Sequence, residues 1–116
     1  SASVIAKGLD QVIRKARQNA PGILIACHLA NPPSVGVGDA DFDPEFDAAS
    51  VAVSRNLANE YRKIALQNHA AFLNASDFAA PSITDREHMD EKGHAALADA
   101  IYNKILALQK GLSHVI

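Results

Sequence analysis

With 116 residues the chain has the length of one ordinary domain and is too short for two with independent cores. A hydrophobic share of 48% beside 21% charged residues argues for a folded chain, and a net charge of −2 with no block of like charge lacks the electrostatic footprint of a nucleic-acid binder. The apolar run Ile23 to Cys27 is far too short to cross a bilayer, no basic-then-apolar leader opens the chain, and the single Cys27 excludes an internal disulfide framework and a multi-cysteine zinc site.

From Ser3 to Asn19 the residues Val4, Ile5, Leu9, Val12, Ile13 and Ala16 recur at helical spacing, with Asp10, Arg14, Lys15 and Arg17 mainly opposite them. Ser3 is the expected N-cap and Pro21-Gly22 the stop. Ile23 to Cys27 follows as a continuous apolar run, the pattern of a strand covered on both faces in a parallel sheet. Ala30 to Phe46 is a long polar connection with Pro32-Pro33, Gly36, Gly38, Pro44 and several aspartates, and a connection of that length tends to be functional or mobile.

A second helix is expected from Asp47 to Asn68, with Leu57, Ala58, Tyr61, Ile64 and Ala65 as its buried stripe. Ala70 to Asn74 is a short Ala-rich strand, and Asp77 to Glu87 a second polar loop. The last helix runs from Asp90 to Lys110, with Leu97, Ala98, Ile101, Ile105 and Leu108 facing inward. Asp90 and Glu91 suit the positive end of its dipole, and Gly111 its stop. The order helix, strand, helix, strand, helix, without repeat or linker, implies an α/β layer with parallel strands. Two strands make a poor sheet by themselves, so the chain reads as one partial domain over residues 1–116, the C-terminal half of something larger.

Asp85 and His88 stand in the loop after the second strand, directly before the last helix. In open α/β sheets the loops at the carboxyl ends of the strands form the active site. Asp-x-x-His across a turn lets the carboxylate hold one imidazole nitrogen and leaves the other as a base for a serine hydroxyl. On spacing alone two solvated loop residues are the better reading, because Asp-x-x-His occurs often by chance.

The block Asp85-x-x-His88-Met89-x-x-x-Gly93-His94, followed by Ala95, Leu97, Ala98 and Ile101, resembles the last conserved block of the SGNH, or GDSL-type, serine hydrolases. Pro32-Pro33 after an apolar strand resembles the corresponding segment of arylesterase-like members, and the opening helix resembles the crossover after that family's Gly-x-Asn-Asp segment. The resemblance implies the C-terminal half of a flavodoxin-like three-layer α/β/α parallel sheet. It also implies hydrolysis of a small-molecule ester by a Ser-His-Asp triad, with His88 and Asp85 as the catalytic residues supplied here and with no cofactor or metal. Arg86-Glu87 departs from the small or apolar residues usual between the Asp and the His. No Gly-Asp-Ser occurs, since Gly38-Asp39 continues as Ala40-Asp41, and no Gly-x-Asn occurs either. The nucleophile is therefore expected in a missing N-terminal part, and this chain alone is expected to be inactive.

Cys27-His28 ends the first strand on the same edge. A small buried residue is the simpler reading of Cys27, because neighbours in a strand point to opposite faces and His28 is poorly placed to activate it. Asp85, His88, Asp90 and His94 also read as a metal cluster, weakened by the absence of four-residue helical spacing between the histidines. His94 reads as a helix-start residue, and His69 and His114 as surface residues. The runner-up to the hydrolase is a non-catalytic α/β module that pairs with a partner or with itself through an exposed strand edge.

Overall fold

The computed structural model describes residues 1–19, 47–111 and the backbone of 25–28. The elements run α1 (Ala2–Asn19), β1 (Ile25–His28), α2 (Ala48–Gln67), β2 (Ala71–Asn74), a 3-10 turn (Ala75–Asp77) and α3 (Glu91–Lys110). Asp47 opens α2 as the N-cap of a capping box: its carboxylate accepts from the Ser50 N–H at 2.8 Å while the Ser50 hydroxyl accepts from the Asp47 N–H at 3.0 Å. Those reciprocal bonds satisfy two donors that a helix start otherwise leaves orphaned. Asp90 caps α3 with a single bond, its carboxylate accepting from the Gly93 N–H at 2.8 Å. At α1 the helix begins two residues ahead of the expected cap: Ile5 N–H donates to Ser1 O and Val4 N lies 3.5 Å from Ser1 Oγ, so Ser3 sits inside the helix.

β1 and β2 pair in parallel, with Ile25 opposite Ala71 and His28 opposite Asn74. Successive residues of β2 face different clusters, as a strand requires. Phe72 packs on Ile13 of α1 and Ala65 of α2, together with Leu9, Ile64 and Ala70. Leu73 packs with Ala75 and with Ala100 of α3, flanked by Leu97 and Ile101. Burying Ile13 contributes about 1.5–3 kcal/mol.

A polar clasp holds the end of α2 against α1. Asn68 Nδ2 donates to Asp10 Oδ1 at 2.7 Å, and the Arg17 guanidinium donates to the Asn68 and His69 carbonyls. Arg17 thereby satisfies acceptors at a helix C-terminus, where a cation is also favoured by the dipole.

The flavodoxin-like three-layer α/β/α parallel sheet implied by the resemblance is not what the described residues form. Helices of 18, 20 and 20 residues dominate, and strand among the described residues is confined to one pair of four residues each. The described residues are mostly helical. The physical reason lies in composition and in packing. Ile-Ala-Cys-His and Ala-Phe-Leu-Asn hold a single β-branched residue between them, too few to fill the faces of a broad pleated layer. The long helices meanwhile bury their stripes directly on one another, as Ile13 does on Ala65. Pro21-Gly22, Ile23-Leu24, the segment Ala30 to Phe46 with its Pro32-Pro33, and His114 lie outside the described residues.

Among the described residues no helix is long and apolar enough to cross a membrane.

Candidate functional site

The loop between β2 and α3 is built by local hydrogen bonds. Asn74 ends β2 and its side chain accepts from the Ser76 N–H at 3.2 Å, which starts the 3-10 turn. After buried Pro81, Ser82 N–H donates to the His88 carbonyl at 2.7 Å and Arg86 N–H donates to the Ser82 carbonyl at 2.9 Å, closing residues 82–88 into a tight loop. Arg86 takes φ 62°, the left-handed region that costs a side-chain-bearing residue roughly 1–2 kcal/mol. That turn aims two successive N–H groups back at Asp85. Downstream, Gly93 lets Met89 close on the start of α3: a Cβ on Gly93 would meet Met89 Cβ at 3.1 Å.

Asp85 is the centre of the loop. Its Oδ1 accepts from Glu87 N–H at 2.9 Å, His88 N–H at 3.0 Å and Ser82 Oγ at 3.2 Å, and its Oδ2 lies 2.8 Å from His88 Nδ1. The Glu87 N–H, then the His88 ring and N–H, hold the Asp85 carboxyl well below the usual carboxylate range. An ionised carboxylate only accepts, so Nδ1 of neutral His88 carries the proton and Nε2 keeps its lone pair. The hydrogen bond to Asp85, and then its charge, raise His88 above the ordinary 6.5. The His88 side chain is 83% exposed and that of Asp85 41%. The pair is thus a pre-oriented base facing outward, in the geometry by which a carboxylate fixes an imidazole tautomer for proton transfer.

Beside this loop lies an open groove of about 440 Å³, walled by Phe78, Pro81, Ser82, Ile83 and Ala96, with Lys92 among its lining residues. Phe78 and Ile83 are exposed apolar side chains here.

The two residues expected to carry chemistry, Asp85 and His88, are in direct contact. The others are not drawn in. His94 is an exposed residue of α3 whose N–H bonds the Asp90 carbonyl, and Asp90 is occupied as the cap. Among the described residues no group of three or more His, Cys, Asp or Glu side chains is placed to hold a metal ion. His69 is exposed, with φ 54° at the end of α2. Cys27 and His28 lie opposite Leu73 and Asn74 in the strand pair. Sequence reasoning missed Ser82. Its signal was a hydroxyl three residues before an Asp, the spacing at which Ser and Asp side chains close local turns.

No family model and no curated protein matches this chain. A solved crystal structure is similar to it, with a TM-score of 0.78 and 28% identity over 93% of this chain and 51% of the other. The chain therefore spans about half the length of that protein.

Proposed function

We propose that this chain supplies the acid–base half of a serine ester hydrolase of the SGNH, or GDSL, kind, with the nucleophilic serine contributed from outside these residues. The observation that carries the reading is the 2.8 Å contact between His88 Nδ1 and Asp85 Oδ2, on a carboxylate whose other oxygen is already fixed by three donors. In this reading His88 Nε2 takes the proton of the serine hydroxyl as the oxygen attacks the ester carbonyl. It returns that proton to the departing alcohol and then activates the water that releases the acid. Asp85 orients His88 and stabilises the imidazolium. The groove beside Ser82 and Ile83 accommodates the apolar group of a small ester. Similarity to a solved chain of about twice the length favours a site completed by further residues.

The test is hydrolysis of p-nitrophenyl acetate by the full-length protein and its His88→Ala variant. The variant is expected to lose on the order of a thousandfold or more in turnover. Its thermal transition should remain in place, because the removed side chain is largely solvated. Near-wild-type turnover would remove His88 from the chemistry.

A second reading, a non-catalytic module pairing with a partner or a second copy, is favoured by α1, where Val4, Ile5 and Val12 are 61%, 46% and 62% exposed. Sedimentation of the chain together with the ester assay separates the two: a stable assembly without turnover supports the module.

A further inference from the structure

Ser82 is bonded to the candidate site in two distinct ways. Its backbone closes the loop, the N–H donating to the His88 carbonyl at 2.7 Å and the carbonyl accepting from Arg86 N–H at 2.9 Å. Its hydroxyl does something else: Oγ lies 3.2 Å from Asp85 Oδ1 and 3.5 Å from Asp85 N. The carboxylate oxygen it meets is the one that does not contact the His88 ring. A donor there fixes the rotation of the carboxylate about its Cβ–Cγ bond, and that rotation decides whether Oδ2 points along the Nδ1–H direction. The two backbone donors to Oδ1, from Glu87 and His88, come from one side of the turn within three residues of Asp85, whereas Ser82 reaches it from the opposite end of the loop.

We infer that Ser82 is a positioning residue, whose hydroxyl locks the Asp85 carboxylate in the rotamer that presents Oδ2 to His88. The inference deepens the ester-hydrolase reading and rests on it for its kinetic consequence. Ser82→Ala keeps both backbone bonds that close the loop and removes the two hydroxyl contacts with Asp85, the one to its carboxylate and the longer one to its N–H, so the carboxyl titration is the readout that a merely structural role would leave in place.

The experiment uses Ser82→Ala and Ser82→Thr in the full-length protein, with two readouts. The first is hydrolysis of p-nitrophenyl acetate. Ser82→Ala is expected to lower kcat about tenfold with KM unchanged, the loss of one hydrogen bond to a charged group. Ser82→Thr, which restores a hydroxyl, should recover most of it. The second readout is the Asp85 carboxyl resonance followed by carbon-13 NMR against pH, which a merely structural role would not move selectively. Its midpoint should rise in Ser82→Ala, because a donor to the ionised form is gone, and should return toward wild type in Ser82→Thr. An Asp85 titration and a kcat both unchanged in Ser82→Ala would overturn the assignment, as would failure of Ser82→Thr to restore either readout. If the protein hydrolyses no ester yet the Asp85 midpoint rises and is rescued, the hold of Ser82 on Asp85 stands and the hydrolase reading falls.

Discussion

The α1–α2 pair and the 82–88 loop are held by opposite kinds of interaction. Between the helices, Ile13 and Ala65 are almost fully buried and Leu9, Ile64 and Phe72 close around them. Polar bonds such as Asn68 to Asp10 add a rim. In the loop apolar burial is slight, and order comes from hydrogen bonds that converge on one carboxylate. Among the described residues no polar or charged side chain is buried. Stability therefore resides in the helix contact, whereas an exposed, strained loop carries the Asp85–His88 pair. The left-handed Arg86 belongs to that second region, where backbone strain is tolerated because several bonds over-determine the turn.

Replacing Ile13 by Ala strikes the first region alone. It should lower unfolding stability by roughly 2–5 kcal/mol in urea titration, the usual cost of opening a core site. The His88–Asp85 contact should persist in the folded fraction, and a change in the His88 ring resonances under native conditions would show that the regions are coupled after all.

Asp90→Ala probes the boundary between the regions, since Asp90 caps α3 directly after the loop. A loss of about 1 kcal/mol is expected from the missing cap, measured by thermal melting. If ester turnover falls by more than that loss of folded protein explains, the start of α3 also positions His88.

The smallest effect is a displacement along the pH axis. Proton abstraction needs Nε2 of His88 unprotonated, so kcat/KM should rise with pH through a midpoint above 6.5. In Asp85→Asn that midpoint should move down toward 6.5, because the acceptor and its charge are removed, while the rate at the plateau also drops. An unchanged midpoint would show that Asp85 does not act on the ring in solution. Stability follows the same linkage. The raised His88 contributes fully below 6.5 and its contribution is lost as pH rises through its folded value. The lowered Asp85 contributes above 3.8 and its contribution is lost as pH falls through its folded value.

Much of the local structure was legible in the residues. The 3.6-residue spacing in the three helical stretches, the starts of the second and third helices near Asp47 and Asp90, and the pairing of Asp85 with His88 all depend on neighbours within a few positions in the chain. Short-range sterics and hydrogen bonding are enough to fix such features. What faces what was decided elsewhere. Val4, Ile5 and Val12 share the apolar stripe of α1, yet the buried side is Ala2, Ala6 and Ile13. On α3, Ala100 is buried where Ala98 and Ile105 were expected. An amphipathic stripe is wider than the contact it makes, and only the placement of α2 and β2 selects the part that loses water. The layered sheet failed for the same reason. Alternation of elements is a property of the chain, but the extent of a sheet is set by how many strands find hydrogen-bonded neighbours, and here four residues of β1 meet four of β2 while the helices take up the remaining apolar surface. Even Ser82, close in sequence to Asp85, became part of the site only through the fold of the loop, because a hydroxyl three residues away reaches a carboxylate only when the backbone between them turns back, as it does here through the left-handed Arg86 and the bond from Ser82 to the His88 carbonyl.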